Sequence, residues 1–242
     1  MRRVIAHEPT GLPFDVVVIG AGINGAGIAR DAALRGLRVL LVDKGDIGSG
    51  TTSSSTRLIH GGLRYLERGE LSLVRESLRE RERLLRIAPH LVHPLAFLIP
   101  IYEDDRRSPR QIRLGMLAYD ALSLDKSLPR HRMLSRAQAL AREPCLAAEG
   151  LLAAALYYDA QNDFPERLAV ENAIAAHDAG AHVLTYQRVE RLVVDGARVV
   201  GVELRDERTG VRAVARGDVT SMSRGRGWTR SSGRSPRCRN AG

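Results

Sequence analysis

The sequence predicts an α/β protein built on a Rossmann-like βαβ dinucleotide unit that gives way to a three-stranded β-meander. Three observations predict it. Residues 14–43, FDVVVIGAGINGAGIARDAALRGLRVLLVD, run through an apolar strand, a glycine turn, a helical pattern, a second apolar strand and an acid. A second stretch, KGDIGSGTTSSSTRLIHGGLRYLE, sets glycines and hydroxyls around an apolar pair. Beyond residue 180, short strand patterns alternate with tight-turn dipeptides. A chain of 242 residues has room for one large or two small domains, and 44% hydrophobic residues is the content of a globular protein.

Residues 1–13 read as a short arm without the apolar stretch of a signal peptide. The first strand covers Asp15–Ile19. Gly20, Gly22 and Gly25 then form G-x-G-x-x-G. The first glycine permits the tight turn, the second lets backbone N–H groups approach a pyrophosphate, and the third lets the helix pack close to the strand. The anion sits at a helix N-terminus, where unpaired N–H groups and the helix dipole favour it. Ile23–Leu34 is the helix, Gly36 its stop, and Val39–Val42 the second buried strand. Asp43 closes the unit about 20 residues past the turn, where an acceptor for a ribose hydroxyl belongs.

Gly45, Gly48 and Gly50 precede the hydroxyl run Thr51–Thr56, then Leu58, Ile59 and His60-Gly61-Gly62. This is either a flexible linker or a loop whose hydroxyls and N–H groups meet phosphates and a flat cofactor; the apolar pair and paired glycines favour the loop. Leu71–Ile87 is an amphipathic helix with Leu71, Val74, Leu78 and Leu85 on one face. Its charges, including Glu76–Arg79 and Glu82–Arg86, are expected on a solvated face. A strand spans Leu95–Tyr102, bounded by Pro94. Ser108-Pro109 starts a helix through Leu122, and Ser135 to Gln138 is a capping box for another. Strand Leu151–Tyr158 follows, then a helix from Asp163-Phe164-Pro165-Glu166 to about Asp178. Strand His182–Tyr186 precedes a hairpin of Val189–Val194 and Arg198–Leu204 turning at Asp195-Gly196, and Val211–Ala215 completes a meander. A return to helix, strand and meander suits a flavin-binding fold better than a nicotinamide fold of repeated βα units.

Cys145 and Cys238 match no metal or redox spacing, so a reducing compartment is expected. No apolar run is long enough to span a bilayer. Net charge is +9, but six arginines and no acid fall between Val219 and Gly242, so basicity belongs mainly to the tail.

IGAGINGAGIARDAALRG followed by TTSSSTRLIHGGLRYLE resembles the N-terminal part of FAD-dependent (aerobic-type) glycerol-3-phosphate dehydrogenases. The resemblance continues through ERERLLRIAPHLV, LAYDAL and YYDAQNDFPERLAVENAIAAHDAGAHVLTY to about Gly217. It implies an FAD-binding Rossmann-like fold of the DAO superfamily, C-terminally truncated: an arm (1–13), an incomplete FAD-binding domain with part of a substrate layer (14–217) and a basic tail (218–242). It implies oxidation of sn-glycerol 3-phosphate to dihydroxyacetone phosphate, with electrons passed to a quinone. Location would be cytoplasmic, with peripheral association on the inner face of the cytoplasmic membrane. By the resemblance, Gly20, Gly22 and Gly25 hold the FAD pyrophosphate, Asp43 the adenosine ribose, and Thr51, Ser53, Arg57, Leu58, His60, Gly61 and Gly62 run along the flavin. Val189 meets the adenine through its backbone, and Arg64 and Tyr65 lie beside the substrate. Arginine suits a phosphomonoester because its fork grips two oxygens at once; the plainer role for Arg64 is a surface pair with Glu67. The catalytic base is unassigned, with His60 the single candidate. No metal is expected. Other FAD-dependent amine or 2-hydroxy-acid oxidoreductases, and an inactive fragment, are the alternatives.

From about Val219 the sequence departs from the family's Gly-Pro-Trp-Val-Asp pattern. Codons for that pattern, read one base later, give Gly-Arg-Gly-Trp-Thr, which matches residues 225–229. The tail is therefore expected to be an out-of-frame product, which the encoding DNA would settle. A genuine arginine–glycine arm would grip phosphates, but only Trp228 would stack on bases, so nucleic acid is not an expected partner.

Overall fold

The computed structural model describes residues 13–223 apart from residue 125. The arm and the tail from residue 224 therefore lie outside the described residues, and so does the arginine cluster. The first half contains β1 (Phe14–Ile19), α1 (Ile23–Leu34), β2 (Val39–Val42), β3 (Leu58–Ile59), α2 (Leu63–Glu67), α3 (Leu71–Ile87), β4 (Val92–Tyr102) and α4 (Pro109–Leu122). The second contains β5 (Arg132–Ser135), α5 (Arg136–Arg142), β6 (Leu151–Asn162), α6 (Pro165–Asp178), β7 (His182–Leu184), β8 (Gln187–Asp195), β9 (Arg198–Asp206) and β10 (Arg212–Met222). The described residues fall into two compact units: one reaches to Ser55 and resumes at Pro165, the other is Thr56–Phe164.

The first unit is a six-stranded sheet in the order β7-β2-β1-β10-β9-β8. β7, β2, β1 and the end of β10 run parallel, while β8, β9 and the start of β10 form the antiparallel meander. Alternation along β1 and β2 divides the core. Val18, Val39 and Leu41 face the alanines of α1 and α6, including Ala29, Ala33, Ala173 and Ala176. Val17, Leu40 and Val42 join Val202, Leu204 and Ala215 in a second cluster. Alanine on both helices permits close approach, and Arg30 donates to Asn172 between them at 3.2 Å. Leu37 N–H reaches Ala32 C=O and Gly36 sits at φ 81, so α1 ends in the expected glycine cap.

Two boundaries differ from expectation here. β10 continues past Gly217 and pairs with β1 through Val219, Thr220, Ser221 and Met222, so the ordered strand runs into the first residues of the expected tail. Backbone pairing needs only N–H and C=O groups, and β-branched Val219 and Thr220 suit a strand. The hairpin between β8 and β9 turns at Gly196-Ala197, because Asp195 already pairs with Arg198.

The second unit is centred on β6, flanked by β4 on one side and by β3 and β5 on the other. β4 is longer than predicted and contains both Pro94 and Pro100. It is an edge strand, where a missing N–H can face away from the ladder. The predicted capping box of Ser135 with Gln138 forms on α5, and the predicted Ser108 cap of α4 proves to be one as well, closed by Gln111. In the last turn of α4, Asp120 accepts from Lys126 Nζ and from both the backbone N–H (3.2 Å) and Nδ1 (2.7 Å) of His131. Burial pushes the Asp120 carboxyl up, but the bonds from Lys126 and His131 outweigh it and hold the group below the ordinary carboxylate range. A carboxylate held low stabilises the fold above its unfolded value and loses that contribution as pH falls through the folded one. Asp120→Asn is expected to cost about 1–3 kcal/mol at neutral pH and to flatten the acid limb. Urea titrations at neutral pH and near pH 3 check both.

Candidate functional sites

In the first unit the glycine turn is built as its spacing demands. Gly20 adopts φ 105, a conformation open to glycine. A Cβ on Gly25 would lie 1.8 Å from the Gly20 carbonyl oxygen, so the third glycine is what lets α1 meet β1. Unlike α4 and α5, α1 has no side chain on its N-cap residue, Gly22, and no acid in its first turn. That helix end is left electropositive, which fits a pyrophosphate. Asp43 stands beside it: one carboxylate oxygen accepts from Ala21 N–H at 2.7 Å and the other from Gly45 N–H at 2.8 Å. These bonds orient the carboxylate next to the turn.

Of the hydroxyl run, Thr52 rather than Thr51 or Ser53 turns inward. Thr52 is buried, and its Oγ1 accepts from Ile23 N–H at 3.1 Å, in the first turn of α1. Thr51 is exposed, and Ser53 Oγ donates back to Gly50 C=O at 3.0 Å. A run of similar residues carries no signal of which one faces the helix, which is why Thr52 was missed. Val189 lies half-buried in β8 opposite Leu204, beside an irregularity before Arg191, and packs on the second core cluster.

In the second unit the predicted residues Leu58, His60, Gly62, Arg64 and Tyr65 line one groove of about 400 Å³, with Phe97 and Tyr157 on its wall. Gly62 is the N-cap of the short helix α2, at φ 70, and Tyr65 packs over it; a Cβ there would lie 2.5 Å from the Tyr65 ring. Arg64 is exposed. The expected alternative, a surface pair with Glu67, does not form, because Glu67 accepts from Arg107 at 2.7 Å. Arg57 sits outside the groove at φ 63, donating to Asp163 C=O at 2.7 Å. Phe97 and Tyr157 stack at 5.2 Å, and Tyr119 meets Tyr157 edge-on at 6.1 Å. Burial, helped by the charge of Asp159, pushes the Tyr157 hydroxyl up to about 12, so it remains a neutral donor.

Behind the groove lies a network the sequence reading missed. Arg81 Nη1 pairs with Asp159, both fully buried. Tyr119 Oη lies 2.9 and 3.0 Å from the two Asp159 oxygens, and Gly61 N–H donates to Tyr119 Oη at 2.9 Å. This overturns the expectation that the charges of α3 are solvated: Arg81 and Glu82 are buried with Val74 and Leu78, whereas Leu71 is exposed. One signal was available. Asp159 is the single charged residue in β6, and a buried acid requires a partner. Burial pushes the Asp159 carboxyl up, while Arg81 and Tyr119 pull it back.

A model of the FAD-dependent oxidoreductase family matches residues 15–219. The chain belongs to this family. Among its relatives is a glycerol-3-phosphate dehydrogenase of Synechocystis, 54% identical over 179 residues, a match covering 74% of this chain and 32% of that protein. A D-erythritol 1-phosphate dehydrogenase of Brucella abortus is 45% identical over 171 residues, 71% of this chain and 33% of the relative. Among solved structures, the glycerol-3-phosphate dehydrogenase of Bacillus halodurans complexed with FAD superposes with a TM-score of 0.66 at 30% identity, covering 88% of this chain and 34% of that one. The chain thus spans about a third of the length of these oxidoreductases. As a family member it is FAD-dependent by type, and the helix end beside Asp43, with a glycine N-cap and no acid in its first turn, fits that cofactor. Among the described residues no cluster of His, Cys, Asp and Glu could hold a metal, and no helix is long and apolar enough to cross a membrane.

Proposed function

We propose that this chain is the flavin-holding part of an enzyme that oxidises sn-glycerol 3-phosphate to dihydroxyacetone phosphate and passes the electrons to a quinone. Its place is the cytoplasm or, peripherally, the inner face of the cytoplasmic membrane. The observation that carries the reading is Arg64: an exposed guanidinium with no ion-pair partner among the described residues, in a groove shared with His60 and Tyr65. A fork of this kind grips two oxygens of a phosphomonoester. Gly20, Gly22 and Gly25, with Thr52 at the first turn of α1, would hold the FAD pyrophosphate, with Asp43 on the ribose, the Val189 backbone at the adenine, and Thr51 and Ser53 toward the flavin. Arg57, Leu58, His60, Gly61 and Gly62 would run along the isoalloxazine. FAD, when bound, supplies a two-electron hydride acceptor. The chain's own part is to bind, orient and deprotonate: Arg64 fixes the phosphate, Tyr65 lies beside it, and the His60 imidazole is the candidate acceptor for the hydroxyl proton.

The Brucella relative favours a second reading at the same site, a longer polyol phosphate. Arg64 serves either substrate, since both end in a phosphomonoester. The test is the purified full chain, scanned for visible flavin absorbance and titrated with glycerol 3-phosphate and D-erythritol 1-phosphate. Arg64→Ala is expected to weaken binding of the preferred phosphate by roughly 10- to 100-fold, the worth of a charge-assisted bidentate contact, with the flavin band unchanged. Equal affinity in parent and variant would remove Arg64 from the site, and a colourless protein would count against flavin binding by this chain.

A further inference from the structure

The groove's glycine loop is not held by its own turn alone. Gly61 is buried, and a Cβ there would lie 2.4 Å from Leu78 Cδ2 and 2.5 Å from Tyr119 Oη. The backbone therefore comes as close to α3 and α4 as atoms allow. At that approach its N–H finds the Tyr119 hydroxyl, on a residue 2% exposed. The proton inventory fixes the direction of the chain of bonds. Arg81 has only donors, and Asp159, paired with it, offers only acceptors. Tyr119 has one proton, which goes to Asp159, so its oxygen is left to accept from Gly61 N–H. A hydroxyl whose proton is drawn toward a carboxylate is a stronger acceptor at its oxygen.

We propose that Tyr119, held by the buried Arg81–Asp159 pair, is the positioning residue for the His60-Gly61-Gly62 segment and sets how His60, Arg64 and Tyr65 are presented to ligand. It touches no reacting group itself. It acts through the Gly61 amide, which precedes the left-handed Gly62 that starts α2 and hence carries Arg64 and Tyr65. The proposal rests on the reading of the groove as the flavin and phosphate site, but the bond itself can be tested without either ligand.

Tyr119→Phe removes one oxygen and keeps the ring packed on Tyr157. Hydrogen exchange of the ligand-free full chain, resolved to residues 57–67, is the first readout. In the parent the Gly61 amide is expected to be protected; exchange at the unstructured rate would overturn the proposal even if the variant fails to fold. In the variant, exchange across 60–66 is expected to speed up roughly ten-fold, the worth of one neutral bond, while β4 and β6 stay as in the parent. No change at 60–66 overturns the proposal, and acceleration throughout 56–164 replaces it with a plain core role. The second readout is FAD titration, where about ten-fold weaker binding and a shifted flavin spectrum are expected of the variant. If the parent binds no FAD, the functional reading fails while the exchange result stands by itself.

Discussion

Arg81→Met is expected to destabilise the second unit by about 3–5 kcal/mol, the cost of leaving one member of a buried ion pair without its partner. Total stability of a domain this size is about 5–15 kcal/mol, so the variant would stand near the edge of folding at physiological temperature. Asp159 is the reason. With Arg81 gone, a carboxylate 1% exposed keeps only the Tyr119 hydroxyl, and it must either stay charged in apolar surroundings or take up a proton. The native pair is itself poorly satisfied: Arg81 Nε and Nη2 are buried and find no hydrogen-bond partner among the described residues. Removing both charges together, in Arg81→Met with Asp159→Leu, is therefore expected to recover at least half of the single-variant loss, the remainder being the unmet Tyr119 proton. Urea unfolding of the parent, both singles and the double gives the coupling directly. A double variant no more stable than Arg81→Met would show that the pair is not what those residues contribute.

That pair also marks where the sequence stops being legible. The βαβ unit could be read because its information is local. Strand, turn, helix and acid lie within 30 residues, and each glycine answers a backbone demand set by its immediate neighbours. α1, β2, α3 and the capping boxes of α4 and α5 follow from the same kind of local pattern. Arg81 and Asp159 are 78 residues apart. Nothing in α3 separates Arg81 from the arginines around it until β6 is placed beside it. The site divides in the same way. Residue types named for the groove, His60, Arg64 and Tyr65, fall there because they share one short loop and helix. Phe97 and Tyr157 come from paired strands whose register sets them face to face, which no single stretch of sequence encodes. Thr52 was hidden among equals, since only the turn that buries it distinguishes it from Thr51 and Ser53.

Gly25→Ala and Gly27→Ala, two residues apart on α1, are expected to move the protein in opposite directions. An added Cβ on Gly25 would lie 1.8 Å from the Gly20 carbonyl oxygen and 3.0 Å from its carbon. Both are backbone atoms, so no side chain can rotate away. Relief requires α1 to withdraw from β1, which disturbs the alanine contacts with α6 and carries the helix N-terminus off the Asp43 side of the turn. The expected cost is about 3 kcal/mol, with capture of FAD abolished because the N–H groups no longer converge on the pyrophosphate. Gly27 meets nothing within 4 Å of an added Cβ. There alanine only removes freedom from the unfolded chain and raises helix propensity, a gain of about 0.5–1 kcal/mol. Thermal unfolding and FAD titration of the two variants, side by side, separate the roles. If Gly25→Ala kept its flavin and its melting temperature, the third glycine would not be the point at which this helix is set against the sheet, and the cradle would have to be formed elsewhere. If Gly27→Ala lost either one, the helix face opposite the sheet would be carrying a contact of its own.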